Sequence, residues 1–353
     1  MTSLIAYHRE HGRDFVELAG YALPGRYRSL VEEYAAAQTA AMIDRSFLGK
    51  VVVSGRDREA LLHRLSTNEM RGLQPGDSRV NLFTNAKGRV VDMVEMLAGE
   101  DHYLLLTSPG RAALLCQWID KYTFREDVKT TEVSGEWAVI ALLGTRATPL
   151  LQDRFGTHAA LPAGRSVKVS WRDHELWLHH PHAATIARYL LIVPATAAPA
   201  LWQELLRDFM PVGFHVHESL RIRHGIPAAD HEIVESYNPH EIGLLPFINF
   251  EKGCYIGQEV IARLDSYNKV QRRLMGLQLL SGPEPAAGAA VLAAAQEIGT
   301  VTSVAPAITG PFALALAVIR RAFAQPGSRV EVAGPQGNLP AILRELPFAA
   351  DSD

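Results

Sequence analysis

The sequence has few features that would place it outside the ordinary globular proteins. It contains only two cysteines, Cys116 and Cys254, in 353 residues. Two are too few for a disulfide framework or for the about four thiolates that an iron–sulfur cluster takes. No hydrophobic run approaches the roughly 18 residues of a membrane span, and no signal-peptide core follows the polar N-terminus. The formal net charge is only −3, which gives no overall attraction to nucleic acid. We therefore expect a cytoplasmic protein in a reducing compartment, with no membrane and no direct nucleic-acid partner.

The length indicates more than one domain. A chain of 353 residues with 48% hydrophobic and 21% charged residues is typical of two or three globular domains. The composition of Ser281–Gly288, rich in proline and glycine, is typical of a domain boundary. Short β-prone runs separated by turn residues follow it, which predicts a C-terminal β-barrel.

Local patterns predict several helices and strands. Ser29 with Glu32 three positions later is a capping box that begins a helix. A strand is predicted over Trp171–Leu178. Cys116 lies close to apolar residues on a predicted helix and is interpreted as a core residue.

The second strand of a predicted hairpin carries an acid in apolar surroundings. Val80–Thr84 and Arg89–Leu97 predict two strands joined by a turn at 85–88. Because side chains alternate along a strand, Asp92 shares its face with three apolar residues. An ionised acid there is costly unless it is paired or used, so Asp92 is a candidate site residue. A buried acid bonded to a backbone N–H or to an arginine explains the pattern as well.

Histidine is abundant, with 14 residues and two clusters, at 179–182 and 215–217. Alternation along a strand would put His215 and His217 on one side. Neither cluster has a third ligand at a defined spacing, and a metal site usually takes three or four ligands. No metal is predicted, and the histidines are interpreted as solvated loop residues.

One short stretch combines a cysteine with two glycines and a lysine. It runs over Lys252-Gly253-Cys254-Tyr255-Ile256-Gly257-Gln258-Glu259 and predicts a turn that leads into a helix ending at about Asp265. A cysteine just ahead of a helix N-terminus has a lowered pKa, and the charge of Lys252 would act in the same direction. Gly253 and Gly257 allow a tight turn or close approach to a ligand. The alternative is a small buried cysteine in a helix cap.

This octapeptide resembles the signature of the YgfZ family at all eight positions. Those proteins bind folate, support iron–sulfur enzymes, and are related to the aminomethyltransferase, or T-protein, of the glycine cleavage system. The resemblance continues through Arg221–Pro227, Pro239–Leu244, Ile298–Ser303 and Ala315–Arg321. The N-terminal region from Tyr7 to Pro24 is more similar to the aminomethyltransferases.

The resemblance implies an α+β, three-domain aminomethyltransferase-like fold around a central channel, closed by the C-terminal β-barrel. The folate-binding region is expected over residues 1–270. It would consist of two interleaved α+β subdomains, roughly 1–50 with 145–215 and 51–144 with 216–270. The barrel is expected over residues 280–348.

The resemblance also implies tetrahydrofolate, or another reduced folate, as the cofactor. Aminomethyltransferases carry a Gly-Gly-x-x-Asp-Asp pattern, in which the second acid has the catalytic role near folate. The corresponding run here is Gly88–Met93, where Asp92 matches the first acid and Met93 replaces the second. Methionine cannot take a proton or orient an amine, which argues against glycine-cleavage chemistry.

The site residues that follow from the octapeptide and the resemblance form two groups. The predicted catalytic residues are Cys254, Lys252 and Asp92. The predicted folate-binding residues are Asp92, Arg221, Arg223, Gly253, Tyr255, Gly257, Gln258 and Glu259. Because arginine binds carboxylates bidentately, further candidates for the glutamate tail of folate are His224, Arg272 and Arg273. Solvated surface charges are the alternative for each of these basic residues.

Three functions stay open, and with them the question of whether the protein is an enzyme. The first is an accessory protein that binds tetrahydrofolate and uses Cys254 in assembly or repair of iron–sulfur enzymes, including tRNA-modifying ones. Its partners would be those enzymes or an assembly scaffold. The second is a folate-dependent aminomethyl or one-carbon transferase of the T-protein type. The third is a folate-independent protein-binding module.

Overall fold

A computed structural model describes residues 2–182, 185–266, 270–308, 310 and 312–349. The chain forms two compact units, each built from separate stretches of sequence. The first contains residues 1–83, 92–216 and 251–255, and the second contains residues 84–91, 217–250 and 256–353. From the sequence we also expect the tail after Phe348 to be disordered, but residues 350–353 of that tail lie outside the described residues.

The helices and strands alternate along most of the chain. The α-helices are α1 (Ile5–His11), α2 (Leu30–Thr39), α3 (Arg58–Leu65), α4 (Ala112–Lys121), α5 (Ala147–Phe155), α6 (Ala198–Leu205), α7 (Phe214–Arg223) and α8 (Gln258–Ser266). Short 3-10 helices lie at Gly156–Ala159, Leu245–Phe247 and Arg321–Phe323.

The strands are β1 (Val16–Leu18), β2 (Tyr21–Leu23), β3 (Ala41–Asp44), β4 (Gly49–Ser54), β5 (Ser78–Thr84), β6 (Val90–Ala98), β7 (His102–Thr107), β8 (Lys129–Glu132), β9 (Trp137–Leu143), β10 (Arg165–Trp171), β11 (His174–His180), β12 (Tyr189–Pro194), β13 (Met210–Pro211), β14 (Arg272–Leu279), β15 (Ala290–Ala293), β16 (Gln296–Ala305), β17 (Leu314–Arg320), β18 (Arg329–Val332) and β19 (Leu339–Arg344).

A six-stranded sheet in the order β10-β11-β12-β9-β3-β13 forms the main layer of the first unit. Its strands pair antiparallel except β13 and β3, which are parallel. One face carries Leu142 and Leu191, which are buried with Leu151 of α5 and with Leu201 and Trp202 of α6. Burial of these large apolar side chains is the main stabilising contribution to this layer.

The five-stranded sheet, in the order β5-β6-β7-β4-β8, holds the acid singled out in the sequence. Burial alternates along β6, and Val90, Asp92 and Val94 are all buried, as predicted from the period of two. Asp92 therefore lies inside the unit, on a strand with a neighbour on each side.

A closed barrel in the order β14-β17-β16-β15-β18-β19 belongs to the second unit and confirms the predicted C-terminal barrel. Its interior is filled by small and branched side chains, such as Leu277, Val301 and Ala317. Irregular pairing at Val291/Leu292 and at Val301/Ser303 interrupts the ladders; such bulges increase local twist. The first barrel strand, β14, precedes the proline- and glycine-rich stretch at 281–288.

Several local predictions are confirmed and others are wrong. The capping box of Ser29 and Glu32 begins α2 as expected. The strand predicted over Trp171–Leu178 is a hairpin instead, because the chain reverses after Trp171 with Arg172 at a φ of 50°. The 215–217 segment is helical within α7, so strand alternation does not apply to its histidines.

Cys116 on α4 is only partly buried, and the prediction of a core cysteine is corrected. Within the described residues, every helix is too short or too polar to cross a membrane.

Candidate functional site

Lys252 anchors the segment that carries Cys254. It is 6% exposed, and its ammonium donates hydrogen bonds to the backbone carbonyls of His63, Ser66 and Asn68, the last two at 2.6 and 2.9 Å. These carbonyls lie at the C-terminal end of α3 and just beyond it. A helix leaves carbonyls unpaired there, and its dipole favours a cation. Lys252 therefore caps α3, and burial lowers its pKa to about 8.

Tyr255 follows Cys254 in the chain and is also buried. The Lys252 ammonium lies 5.5 Å from the centre of its ring, which is a cation–π distance. Burial raises the pKa of the Tyr255 hydroxyl to about 12. Within the described part of the chain this buried oxygen has no hydrogen-bond partner. It is therefore a polar group that the protein's own contacts do not use.

Cys254 itself is exposed, so the alternative of a small buried cysteine is wrong. The buried residues Lys252 and Tyr255 hold the backbone on either side while the thiol faces solvent. The helix α8 begins at Gln258, and three residues separate it from Cys254. The prediction that the thiol lies just ahead of a helix N-terminus is corrected accordingly.

The two glycines of the octapeptide have different roles. Gly257 has a φ of +83°, and a Cβ there would collide with the carbonyl oxygen of Asn85. In the same unit the Thr84 hydroxyl donates to the carbonyl of Ile256. At Gly253, by contrast, a Cβ would meet only Nε2 of His63, at 3.7 Å. Only Gly257 is a position where the fold itself requires glycine.

His63 is a neighbour of the Cys254 segment that no sequence pattern indicated. It is buried, and its Nδ1 lies 2.9 Å from the Glu69 carboxylate. Burial, and then the charge of Lys252, lower the pKa of His63. An imidazole oriented by a carboxylate can take up a proton from a nearby group. No motif surrounds His63, and 189 residues separate it from Lys252 in sequence.

Asp92 is fully buried at 0% exposure, and both of its oxygens are engaged. Oδ1 accepts from the N–H of Met93 at 2.9 Å, and Oδ2 accepts from the N–H of Ser108 at 3.2 Å. Burial raises the pKa of Asp92 to about 6, against the hydrogen bonds from Ser108 and Met93, which lower it. The carboxyl supports the turn that opens α4, as the structural alternative expected. Its role toward folate stays a prediction.

Arg221 is the centre of a buried polar group in the second unit, which we name the Arg221 cluster: Glu218, Arg221, Glu232 and Ser303. Its Nε donates to Glu218, its Nη1 to the carbonyl of Ile226 at 2.8 Å and to Glu232 at 3.3 Å, and its Nη2 to Glu218 and Ser303. All five N–H donors of the guanidinium are thus engaged. To meet folate carboxylates, as predicted, Arg221 would have to break these bonds.

The remaining predicted residues are less enclosed. Arg223 is half-buried, Gln258 is half-buried, and Glu259 is exposed in the first turn of α8, where an acid is favourable. Arg273 pairs with Glu345, and Arg272 lies 5.6 Å over the ring of Tyr237. Nδ1 of the exposed His224 lies 2.8 Å from the carbonyl of Leu220. The last three fit the alternative of surface charges.

Two family models match the chain. The GCVT N-terminal domain matches residues 4–252, and the Glycine cleavage T-protein C-terminal barrel domain matches residues 272–349. The chain belongs to the glycine cleavage T-protein family. This confirms the T-protein part of the resemblance and does not separate YgfZ proteins from aminomethyltransferases within the T-protein family.

Individual relatives are similar over nearly the whole chain. An aminomethyltransferase of Geobacillus kaustophilus is 29% identical over 357 residues, covering 98% of each chain. A putative chloroplastic transferase of Arabidopsis thaliana is 27% identical over 318 residues, covering 88% of this chain and 73% of its own length. The crystal structure of the glycine cleavage aminomethyltransferase of Bartonella henselae matches with a TM-score of 0.88 at 21% identity, covering 98% of this chain and 97% of its own. The aminomethyltransferase-like fold is therefore confirmed.

Aminomethyltransferases of the T-protein family use tetrahydrofolate. Only some of the residues predicted to bind it here have polar atoms that are not already bonded within the protein. The oxygens of Asp92 and the donors of Arg221 already have protein partners. The Tyr255 hydroxyl is buried and unpaired, and Gln258 and Glu259 keep polar atoms near the surface. The role of these residues toward folate stays a prediction.

The histidine clusters do not form a metal centre within residues 2–182, 185–266 and the later described stretches. His179 is buried, with Nε2 at 2.8 Å from Glu95 and Nδ1 at 3.1 Å from the carbonyl of Arg165. His180 is buried as well, and His217 of α7 is 6% exposed. The interpretation of solvated loop histidines is therefore wrong for these three residues, which lie in β11 and α7.

Proposed function

We propose that this T-protein family member binds tetrahydrofolate and acts through the Cys254 thiol in support of iron–sulfur enzymes. One observation carries the proposal: an exposed thiol lies between two buried anchors, Lys252 and Tyr255. Burying a lysine on three carbonyls has a desolvation cost that a plain surface turn does not need. Such an anchor is useful where the position of the side chain between the anchors matters.

The chemistry of a single exposed thiol limits what that role can be. A thiolate is a nucleophile and a metal ligand, and one chain with two cysteines cannot hold a cluster that takes about four. Cys254 would therefore act transiently, or share a ligand set with a partner. Iron–sulfur enzymes, including tRNA-modifying ones, or an assembly scaffold are the partners of this proposal. His63, oriented by Glu69, lies beside Gly253 and is the group to which we assign proton exchange with the thiol.

Aminomethyl transfer onto tetrahydrofolate is the second candidate, and the names of the relatives favour it. The Geobacillus aminomethyltransferase aligns over 98% of both chains. Against it stands the acid pair on β6, where Met93 replaces the second acid and Asp92 is buried with both oxygens engaged. The local geometry therefore supports the accessory role, while the overall similarity supports the transferase.

The predicted interleaved subdomains and the cytoplasmic location remain parts of the proposal.

Two measurements on the purified protein separate these functions. Calorimetric titration with tetrahydrofolate should show binding under either candidate, and no binding at millimolar concentration would remove folate from both. The protein should then be incubated with tetrahydrofolate and an aminomethyl donor: the lipoyl-bound aminomethyl carrier protein, sarcosine or dimethylglycine. The accessory role predicts no methylene-tetrahydrofolate. Turnover by the native chain would establish the transferase instead.

A further inference from the structure

A cavity in the first unit lies apart from the residues considered so far. Its volume is about 420 Å³, within the range of small-molecule sites. It is bounded by the end of α1, the segment before α2 and the segment that leads into β13. Its lining includes Tyr7, His11, Tyr27, Arg28, Arg207 and Phe209.

The lining combines flat aromatic surfaces with positive charge. The rings of Tyr7 and His11 lie 4.4 Å apart, and the rings of Tyr7 and Tyr27 lie 6.0 Å apart. The guanidinium groups of Arg28 and Arg207 stand at the exposed rim, and neither forms an ion pair with another described residue.

Of the two acids close to this rim, one is paired with an arginine and the other contacts a histidine. Asp208 lines the cavity, but its carboxylate accepts from Arg154 at 3.1 Å. Glu10 lies 3.7 Å from Nε2 of His11. The unpaired charge of the rim is therefore positive, which favours an anionic group on a ligand.

A chain of hydrogen bonds fixes the hydroxyl of Tyr27. The buried Asp44 accepts from the Thr2 hydroxyl at 2.6 Å and lies 2.8 Å from Nε2 of His8. Because a carboxylate only accepts, the neutral form of His8 carries its proton on Nε2, and its Nδ1 is then an acceptor. The Tyr27 hydroxyl, 2.8 Å from Nδ1, then donates to it.

This arrangement leaves the lone pairs of the Tyr27 oxygen free to accept a hydrogen bond. Burial, and then the charge of Asp44, raise the pKa of Tyr27 well above its ordinary value, so the group stays a neutral phenol. The cavity thus offers an aromatic face, a hydrogen-bond acceptor and two cations. Arginine binds carboxylates with two parallel hydrogen bonds, which suits the charged end of such a ligand.

We propose that this cavity is a binding site for a small aromatic carboxylate that also carries a hydrogen-bond donor, such as a ring amine or hydroxyl. The carboxylate pairs with Arg28 and Arg207, the ring lies against Tyr7, and the donor meets the Tyr27 oxygen. This site goes beyond the proposed function and does not rest on it.

Titration calorimetry of the full chain with three matched probes tests the site. The probes are 4-aminobenzoate, benzoate, which lacks the donor, and 4-aminobenzamide, which lacks the charge. The affinity should fall in that order. Equal affinity for all three, or no binding of 4-aminobenzoate at millimolar concentration, overturns the proposal.

Variants of the lining residues locate the binding. Arg28→Gln and Arg207→Gln should each weaken 4-aminobenzoate binding by about tenfold, as loss of one charge-assisted contact. The matched control, Arg9→Gln on the exposed side of α1, should leave it unchanged. Tyr27→Phe should bring 4-aminobenzoate down to the affinity of benzoate. A rim variant that behaves like the Arg9 control contradicts the assignment.

Competition separates this cavity from a folate site. Saturating tetrahydrofolate should leave the 4-aminobenzoate titration unchanged. Loss of 4-aminobenzoate binding in its presence would assign the probe to the folate site and overturn a separate one.

Discussion

The Arg221 cluster and the Cys254 segment differ in how their polar side chains are engaged within the fold. In the cluster, every N–H of a buried arginine meets an acceptor, and its charge is used within the fold. In the segment, Lys252 is engaged in the same manner, yet the thiol two residues later faces solvent. Both regions carry residues that sequence patterns assign to one ligand site. Structural groups are thus separated from available ones by whether each polar atom already has a partner, more than by residue type.

The largest effect is expected for Arg221→Met. Removing the guanidinium leaves the carboxylates of Glu218 and Glu232 without their buried partner. Breaking a buried ion pair in this way costs about 4 kcal/mol of unfolding free energy. Urea denaturation measures the loss. The exposed Arg272→Met serves as the control and should change stability by less than about 0.5 kcal/mol. Equal losses for the two variants would place Arg221 among the surface charges.

A pH-dependent effect of somewhat smaller size is expected at Asp92. Its folded pKa of about 6 lies above the ordinary value of about 3.9. The contribution of Asp92 to the free energy of unfolding is therefore largest below about pH 4. It decreases as the pH rises toward 6 and stays constant above that. This difference between the two pKa values corresponds to a loss of unfolding free energy on the order of 3 kcal/mol.

The comparison with Asp92→Asn isolates this group, since all other carboxyls are shared. Denaturation of both proteins between pH 4 and 7 should show the native chain losing stability relative to the variant. Parallel curves would mean that the Asp92 carboxyl is not desolvated in the way its burial indicates.

Lys252→Met tests whether the Cys254 segment is anchored as strongly as the geometry indicates. The variant keeps the apolar stem and removes the ammonium that caps α3, which should cost about 2 kcal/mol. Thermal or urea denaturation reports the change. Lys87→Met, at an exposed lysine of the 85–88 turn, is the matched control. A loss no larger than that of the control would refute the anchor.

The smallest effect on stability is expected at the thiol itself. Cys254→Ser should change the unfolding free energy by less than about 0.5 kcal/mol, because the side chain is exposed. In the native protein, iodoacetamide should modify Cys254 faster than Cys116, whose pKa is raised by burial. Mass spectrometry of the alkylated peptides gives both rates. Faster modification of Cys116 would reverse the comparison.

The parts of the fold that local periodicity controls were predictable from sequence. The capping box at Ser29 and the alternation along β6 depend on neighbours within a few residues, and both are confirmed. The helical setting of 215–217 was missed because α7 is buried on several sides and shows no clear period.

The candidate site could be predicted only to the level of the segment. The octapeptide indicated where to look, but the partners of Lys252 lie 184 to 189 residues away in the chain. Ser303, which completes the Arg221 cluster, is 82 residues from Arg221. Contacts of such sequence separation are set by the tertiary fold, and no spacing within the sequence specifies them. For the same reason, no sequence pattern indicated that His63 lies beside Gly253.

Replacing Cys254 in cells tests whether its exposed thiol is the functional group of the protein. A strain lacking its own factor of this kind should be given the native chain, Cys254→Ser or Cys116→Ser, each at matched protein level. The readout is the product of an iron–sulfur tRNA-modifying enzyme. We predict that the native chain and Cys116→Ser restore the modified tRNA and that Cys254→Ser does not. Full restoration by Cys254→Ser would contradict it.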